Sequence, residues 1–130
     1  MTWCLGSQYW ANQPHRIGYN AKYGILLDMV GAEGAVFNKE GTSMAYAPTV
    51  VKRLWESAER LGYGDYFKRD VTPETIDDNL FVSEFAGIPS ANIVHYQVQV
   101  LPMGYGPFHH THADNLSIIS TATLEAVGNT

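Results

Sequence analysis

The chain has 130 residues, of which 45% are hydrophobic and 16% are charged, a composition typical of one globular domain rather than a disordered segment. Its net charge is -5 and its eight Lys and Arg residues are scattered, which argues against a nucleic-acid partner. The single cysteine, Cys4, excludes an internal disulfide and cysteine-rich zinc motifs, and no apolar run is long enough to predict a membrane span.

The first elements along the chain are a short helix and a strand. The segment "SQYWAN" at 7–12 predicts a helix that Pro14 ends. The segment "YGILLDMVGA" at 23–32 predicts a buried strand of a parallel or mixed sheet, because its apolar residues do not alternate with polar ones.

The middle of the chain contains the clearest helical pattern. Apolar residues recur at helical spacing over 47–64, Thr49 is the expected N-cap, and Gly62 is the expected residue after the C-terminal end. Trp55 falls on the apolar face, so we expect it in the core rather than in a ligand pocket. The segment 66–71 then predicts a short edge strand.

The last part of the chain alternates again between helix and strand. A helix is predicted at 77–89 with acids in its first turn, a strand at 91–101, and a final helix at 116–127 after a Gly- and Pro-rich loop. Strands that alternate with helices indicate an α/β fold. We therefore expect three α/β/α layers around a mixed, mostly parallel sheet.

Asp28 is a charged residue inside an apolar strand. A buried, unpaired carboxylate is costly, so such a residue is paired, bound to metal, or placed at the exposed carboxyl end of its strand. Three apolar residues precede Asp28 and a turn follows at Gly31, which fits the strand end, where open α/β sheets bind ligands. A turn-capping acid, or an ion pair with an arginine, remains an equally good interpretation.

Three of the five histidines lie in "PFHHTHADN" at 107–115. His109 and His110 follow a predicted strand and precede a helix, at the edge of the sheet where Asp28 is also expected. Adjacent histidines cannot easily face one ion, so one would be a ligand while the other lines the pocket or contacts solvent. Zinc suits a site of imidazole and carboxylate ligands. Histidines on the surface without a ligand role are the alternative.

No HExxH, GxSxG, P-loop or dinucleotide-binding motif occurs, but the order of several short segments resembles a known family. "GSQYWA", "ILLDMVGA", "IDDNLFVSEFAGIP" and "HHTHAD" follow one another as in the C-terminal half of the M28 zinc peptidases. The branch that includes glutaminyl-peptide cyclotransferases is the most similar. The resemblance covers roughly residues 5–130 and implies part of a zinc exopeptidase-like fold.

The resemblance also implies roles for individual residues. His110 matches a zinc ligand, and Asp28 matches a residue that ligates a second ion in two-metal members and forms hydrogen bonds in one-metal cyclases. Asp77 matches an active-site aspartate of the cyclases, although a first-turn acid is also favoured by the helix dipole alone. His109 and Phe108 would then line the substrate pocket, with His109 replacing a bulkier residue.

Two positions depart from the cyclase pattern. Asn79 stands where that branch usually has histidine, and Asn92 stands where it has a pocket histidine, so Asn92 is expected at the substrate site. Both departures weaken a cyclase assignment and favour an aminopeptidase. His112 has no role in this scheme and is expected in solvent.

The remaining ligands of the family and its glutamate base lie upstream of "GSQYWA". We therefore expect residues 1–130 to be a single partial domain without its upstream half, inactive when isolated and cut from a longer chain. The leading hypothesis is the C-terminal portion of a zinc-dependent M28 aminopeptidase that hydrolyses N-terminal peptide bonds. A glutaminyl-peptide cyclotransferase-like enzyme is the first alternative.

Two further hypotheses do not involve catalysis. One is a truncated fragment that acts through self-association or by binding a partner such as a complementary N-terminal half. The other is a metal-binding module built on the histidine loop. Residues 1–10 lack the regions of a signal peptide. A periplasmic or secreted location is expected only by analogy with the family.

Overall fold

The computed structural model describes residues 2–97 and 104–130, which form four strands, five α-helices and a short 3₁₀ helix. Their bounds, in chain order, are α1 Leu5–Asn12, β1 Gly24–Asp28, β2 Phe37–Lys39, α2 Gly41–Tyr46, α3 Pro48–Arg60, β3 Phe67–Val71, α4 Asp78–Ala86, β4 Ser90–Val94, the 3₁₀ helix Leu116–Ile118, and α5 Thr121–Gly128. The predicted helices and strands are thus present. No helix within these described ranges has the length and apolar character that crossing a membrane requires.

The strands form two parallel pairs that are joined by one antiparallel bridge. β1 pairs with β4 and β2 pairs with β3, while Phe37 of β2 bridges His95, the residue after β4. The order β1-β4-β2-β3 is therefore mixed and mostly parallel, as predicted. In the β1–β4 register Asp28 lies opposite Val94, so the carboxyl ends of both strands meet at one edge.

The buried strand β4 divides the helices into two layers. Its residues Ala91 and Ile93 belong to the main core, which α3 completes with Val51, Leu54, Trp55 and Ala58. The alternate residues of β4 face the other side, where α2 and α4 pack on the strand. This arrangement confirms the α/β fold and the core position of Trp55, which is 6% exposed.

β1 differs from its prediction as a buried strand. Half-buried and exposed positions alternate along it, and Ile25 and Leu27 are 42% and 54% exposed. Both residues share a face with Ala91 and Ile93 of β4, but α3 covers β4 and not β1. An apolar sheet face therefore lies open beside the core.

Three other details differ from the sequence predictions. β2 and α2 were not predicted, since three strand residues and six helical residues are too few to show a periodic pattern. α3 begins at Pro48 after Ala47, not at an N-cap Thr49, because proline suits the first helical position. α5 starts at Thr121, with Ser120 as its N-cap. The end of the strand predicted at 91–101 lies outside the described residues.

Gly41→Ala is expected to destabilise the fold by about 2 kcal/mol, because a methyl group there has no free space. A Cβ at Gly41 would lie 2.6 Å from the Glu74 nitrogen and 2.8 Å from the Thr72 oxygen, both of them backbone atoms. Urea unfolding measures the change. Gly6→Ala is the matched control, since nothing lies within 4 Å of that Cβ and alanine favours the helix. Equal stability of the two variants would contradict this packing.

Candidate active site

Asp28 is the last residue of β1 and is half-buried at the carboxyl edge of the sheet. Burial is the main cause that raises the pKa of its carboxyl group, and the charges of Asp78 and Asp114 raise it further. The Met29 amide and the His110 imidazole act in the opposite direction. The His110 imidazole therefore lies within electrostatic range of Asp28, while a shared metal site of the two residues stays a prediction.

The alternative interpretation of Asp28 was an ion pair. Within residues 2–97 and 104–130 the ion pairs are Lys52–Glu56 and Arg69–Glu59, both exposed, and neither includes Asp28. Acidic residues lie near Asp28, and neither described ion pair gives it a cationic partner. A carboxylate in such surroundings is typical of a metal ligand or of a group that transfers protons.

Backbone strain is concentrated around this edge. The non-glycine residues with positive φ in the described ranges are Met29 directly after Asp28, His110 itself, and Cys4 beside Asp77 and Asp78. A left-handed conformation costs a non-glycine residue about 1–3 kcal/mol and persists where the surrounding structure enforces it. Such residues often accompany functional sites.

Asp77 caps α4 and is held from two sides. One carboxylate oxygen accepts a hydrogen bond from the Asp78 amide at 2.8 Å, and the other accepts from the Asn92 side chain at 2.9 Å. Burial is the main cause that raises the pKa of Asp77, and the charge of Asp28 adds to it. The two aspartates therefore belong to one electrostatic site.

Asn92 is only 1% exposed, and its amide donates to Asp77. The structure thus gives Asn92 a supporting contact inside the protein, while direct substrate binding by Asn92 stays a prediction. Asn79 is also buried and donates weakly to Glu40 and Ser43, at 3.4 Å and 3.3 Å. Asn92 therefore contacts Asp77 directly, whereas Asn79 contacts Glu40 and Ser43.

Asn92→Ala is expected to raise the pKa of Asp77 further, because the lost amide hydrogen bond stabilises the charged carboxylate. The pKa of Asp77 can be followed by NMR titration of its carboxyl carbon. Asn129→Ala is the control, since its amide donates to the Tyr63 hydroxyl instead. An unchanged or lower Asp77 pKa in Asn92→Ala would contradict the described contact.

The histidine loop lies over the same edge. Phe108 and Asp28 line one pocket of about 260 Å³ together with Asp114. The His109 ring stacks on that of His110 with centroids 3.7 Å apart, and His110 and His112 are exposed. A substrate contact by Phe108 or His109 stays a prediction that this geometry allows.

The His15 ring packs against the rings of Trp10 and Tyr19, after α1.

Zinc is the metal that the sequence analysis predicts, and the donor types partly fit it. His110 and Asp28 supply one imidazole and one carboxylate, whereas a catalytic zinc normally takes three protein ligands. Among the described residues, the group of three possible ligands within 4.8 Å of one another is Cys4, Asp77 and Asp78. Burial and the two acids raise the pKa of Cys4 to about 11, so its thiol is protonated at neutral pH and this group suits zinc poorly.

A buried hydrogen-bond network that connects to Asp77 through Asn92 was not predicted from the sequence. Glu40 is 0% exposed and accepts hydrogen bonds from the amides of Thr42, Ser43 and Thr75. The Ser43 hydroxyl donates a hydrogen bond to the Glu40 carboxylate at 2.8 Å and accepts one from the backbone amide of Asn92 at 2.8 Å. A single buried glutamate before a glycine gives no periodic signal that could have revealed this network.

Comparison with known proteins places this geometry in a family. The model of peptidase family M28 matches residues 2–130. The chain is 45% identical to a Bacteroides thetaiotaomicron glutaminyl cyclase bound to N-acetylhistamine, with a TM-score of 0.93. The match covers 98% of this chain and 42% of that one. It is 46% identical to a leucine aminopeptidase precursor from Bacteroides thetaiotaomicron, with a TM-score of 0.89 and coverage of 98% and 41%.

A third structure, a Zn-dependent exopeptidase from Parabacteroides distasonis, is 42% identical with a TM-score of 0.94, and the match covers 98% of this chain and 43% of that one. No curated protein matches the chain. The chain therefore spans about two-fifths of the length of the solved structures that it resembles.

Proposed function

Because the chain belongs to peptidase family M28, we propose that it forms the C-terminal part of a zinc-dependent enzyme that acts on the N-terminus of peptides. Three observations support this proposal. Asp28 ends a strand at the carboxyl edge of the sheet, His110 lowers the pKa of Asp28, and the charge of Asp28 raises the pKa of Asp77. The similar exopeptidase from Parabacteroides distasonis is zinc-dependent.

The reaction that we propose is the cyclisation of an N-terminal glutamine. The observation that carries it is the pair Asp28 and Asp77, two half-buried carboxyl groups of raised pKa of which the first raises the pKa of the second. In this reaction the α-amine attacks the γ-carbonyl and ammonia leaves, so one proton must pass from the attacking to the leaving nitrogen. Asp77, whose pKa is raised by burial and by the charge of Asp28, can accept the proton of the attacking amine and donate it to the leaving ammonia.

We assign metal binding, proton transfer and substrate contact to different residues of this chain. His110 and Asp28 would hold zinc, whose chemistry there is to polarise the substrate carbonyl. Asp77 would hold the proton, with its carboxylate oriented by the Asp78 amide and the Asn92 side chain. Phe108, in the pocket beside Asp28, would contact the apolar part of the substrate and limit the access of water.

Hydrolysis by an aminopeptidase is the second candidate. It is supported by Asn79 and Asn92, which depart from the cyclase pattern, and by the 46% identity to the leucine aminopeptidase precursor. Here the same pocket would take the side chain of the N-terminal residue.

The two reactions can be separated in a chimaera that joins this chain to the preceding part of the Bacteroides thetaiotaomicron glutaminyl cyclase. We expect the zinc-loaded chimaera to convert a glutaminyl peptide into a pyroglutamyl peptide and ammonia. Asp77→Asn should lower kcat by about 100-fold or more, as for other lost acid–base groups. Asp65→Asn, at an exposed acid in a turn, is the control. Release of leucine from a leucyl peptide would instead support the aminopeptidase, and a zinc-loaded chimaera without either activity would overturn both.

The chain alone is expected to self-associate. Ile25 and Leu27 expose an apolar face, and a groove of about 510 Å³ lined by Tyr23 and Tyr46 adjoins it. Sedimentation should show oligomers at micromolar concentration that Leu27→Glu weakens. Leu116→Glu is the control, since Leu116 is 89% exposed away from this face. A folded monomer throughout the concentration range would contradict this expectation, and a complementary N-terminal half should compete with association.

A further inference from the structure

We propose that Tyr105 and His109 are positioning residues that fix the His110 imidazole through a column of stacked rings. The inference rests on the proposed role of His110 as a zinc ligand. The ring centroids of Tyr96 and Tyr105 are 4.6 Å apart in an edge-to-face contact. Tyr105 then stacks on His109 at 4.6 Å, and His109 stacks on His110 at 3.7 Å. The column thus runs from the end of β4 to the imidazole itself.

The base of the column is fixed to the sheet. Tyr96 follows His95 at the end of β4, and its carbonyl accepts a hydrogen bond from the Asn38 side chain at 2.8 Å. The Gln97 amide donates to the Gly104 carbonyl at 2.8 Å, which closes the loop onto itself. Gly104 has a φ of +73°, and a Cβ there would lie 3.1 Å from the Tyr96 ring. Glycine at this position lets the loop backbone approach the ring.

A second contact holds the loop from its other side. Phe108 stacks on His95 with centroids 6.1 Å apart, and His95 is 6% exposed. The His95 Nδ1 atom accepts a hydrogen bond from the Val36 backbone amide at 3.0 Å. This bond fixes the His95 ring to the chain segment that leads into β2. Tyr105 and Phe108 therefore pack on Tyr96 and His95, respectively, the two residues that follow β4.

His110 needs such support because nothing else described restrains its ring. The residue is exposed and its backbone is left-handed with a φ of +57°. An exposed imidazole that must adopt one rotamer to bind a metal loses conformational freedom at that moment. Stacking on His109 restricts the ring beforehand. Supporting groups of this kind typically change metal affinity by about 10- to 100-fold.

Two pairs of variants separate stacking from other roles. Tyr105→Leu and His109→Ala remove a ring from the column, whereas Tyr105→Phe and His109→Phe keep an aromatic ring in place. His112→Ala is the matched control, because this exposed histidine of the same loop lies outside the column. Histidine ring resonances report the stack in the 130-residue chain, or in the chimaera if association broadens the signals. Zinc affinity of the chimaera is measured by chelator competition.

We expect the ring protons of His110 to be shifted upfield by stacking and to lose that shift in Tyr105→Leu and His109→Ala only. Zinc affinity should fall by about 10- to 100-fold in these two variants and should be kept in the two aromatic variants and in His112→Ala. Loss of the upfield shift with unchanged zinc affinity would overturn the positioning role. An unmodified chimaera that binds no zinc while the stack persists would instead overturn the proposed function, and the metal-positioning role with it.

Discussion

Glu40→Ala is expected to lower the free energy of unfolding by about 3 kcal/mol or more, because several buried donors would lose their acceptor. The carboxylate caps α2 through the Thr42 and Ser43 amides at 2.7 Å and 2.8 Å, and it also binds the Thr75 amide at 2.9 Å. An unsatisfied buried donor costs about 1–3 kcal/mol, and the loss of a helix cap adds about 1 kcal/mol. The alanine side chain would replace none of these contacts.

The same residue should make stability depend on acid. Burial alone would raise the pKa of Glu40, but the donors of Thr42, Ser43 and Thr75 outweigh it, so the pKa in the folded protein lies below its usual value. A lowered pKa in the folded state means that this stabilisation is complete above the pKa of the unfolded chain. It is lost as the pH falls through the folded pKa. Glu40→Gln should therefore flatten the decline of stability in the acidic range.

Urea unfolding of Glu40→Ala, Glu40→Gln and Glu59→Gln at a series of pH values measures both effects. Glu59 is the matched control because it is an exposed acid whose partner is Arg69, and such pairs contribute about 0–1 kcal/mol. If Glu40→Ala and Glu59→Gln were equally stable, Glu40 could not be the buried acceptor that the structure describes. The isolated chain suits this experiment only below the concentration at which it associates.

The elements that the sequence predicted well are those with a strong local signal. The helix at 48–60 shows apolar residues at regular spacing, and the helix at 78–86 begins with acids and ends at Gly87 with a φ of +66°. β1 was recognised by its apolar run, and its terminal Asp28 could be placed because a charge is tolerated at the end of a strand. Each of these signals lies within about a dozen neighbouring residues.

The remainder depends on contacts between distant residues. The partners of Glu40 and Ser43 include Thr75, Asn79 and Asn92, which lie 35 to 49 residues further along the chain. Neither the network nor the α2 helix that it caps has a local pattern. The exposed face of β1 was also mispredicted, because an apolar run does not reveal which of its faces a helix covers.

The candidate site shows the same division. The order of short segments assigned His110, Asp28 and Asp77 to one site, and that assignment stays a prediction. In the structure His110 lowers the pKa of Asp28, and the charge of Asp28 raises the pKa of Asp77. The order of segments did not reveal that the buried Asn92 side chain donates a hydrogen bond to Asp77. It also did not reveal that the rings of Tyr105, His109 and His110 stack on one another. Side-chain packing around a loop follows from the path of that loop, which composition and spacing do not specify.

His110→Ala is expected to remove zinc from the chimaera, with a loss of affinity greater than the 10- to 100-fold change that follows loss of a supporting group. An alanine has no donor atom for the metal, and no other histidine can take its place, since His109 stacks beside it and His112 is exposed elsewhere in the loop. Cyclisation or hydrolysis should be lost in parallel. Asp28→Asn should weaken zinc binding as well if Asp28 is a ligand.

Comparing the zinc content of His110→Ala with that of Asp28→Asn shows whether the site holds one metal ion or two. If Asp28 ligates only a second ion, Asp28→Asn should halve the zinc content measured by atomic absorption and leave the tighter site intact. If Asp28 forms hydrogen bonds beside a single ion, the variant should keep its zinc and lose activity, because an uncharged amide there would no longer raise the pKa of the proton-carrying Asp77. His112→Ala should leave zinc content and activity unchanged. Full zinc content in His110→Ala would exclude His110 as a ligand and with it the proposed site.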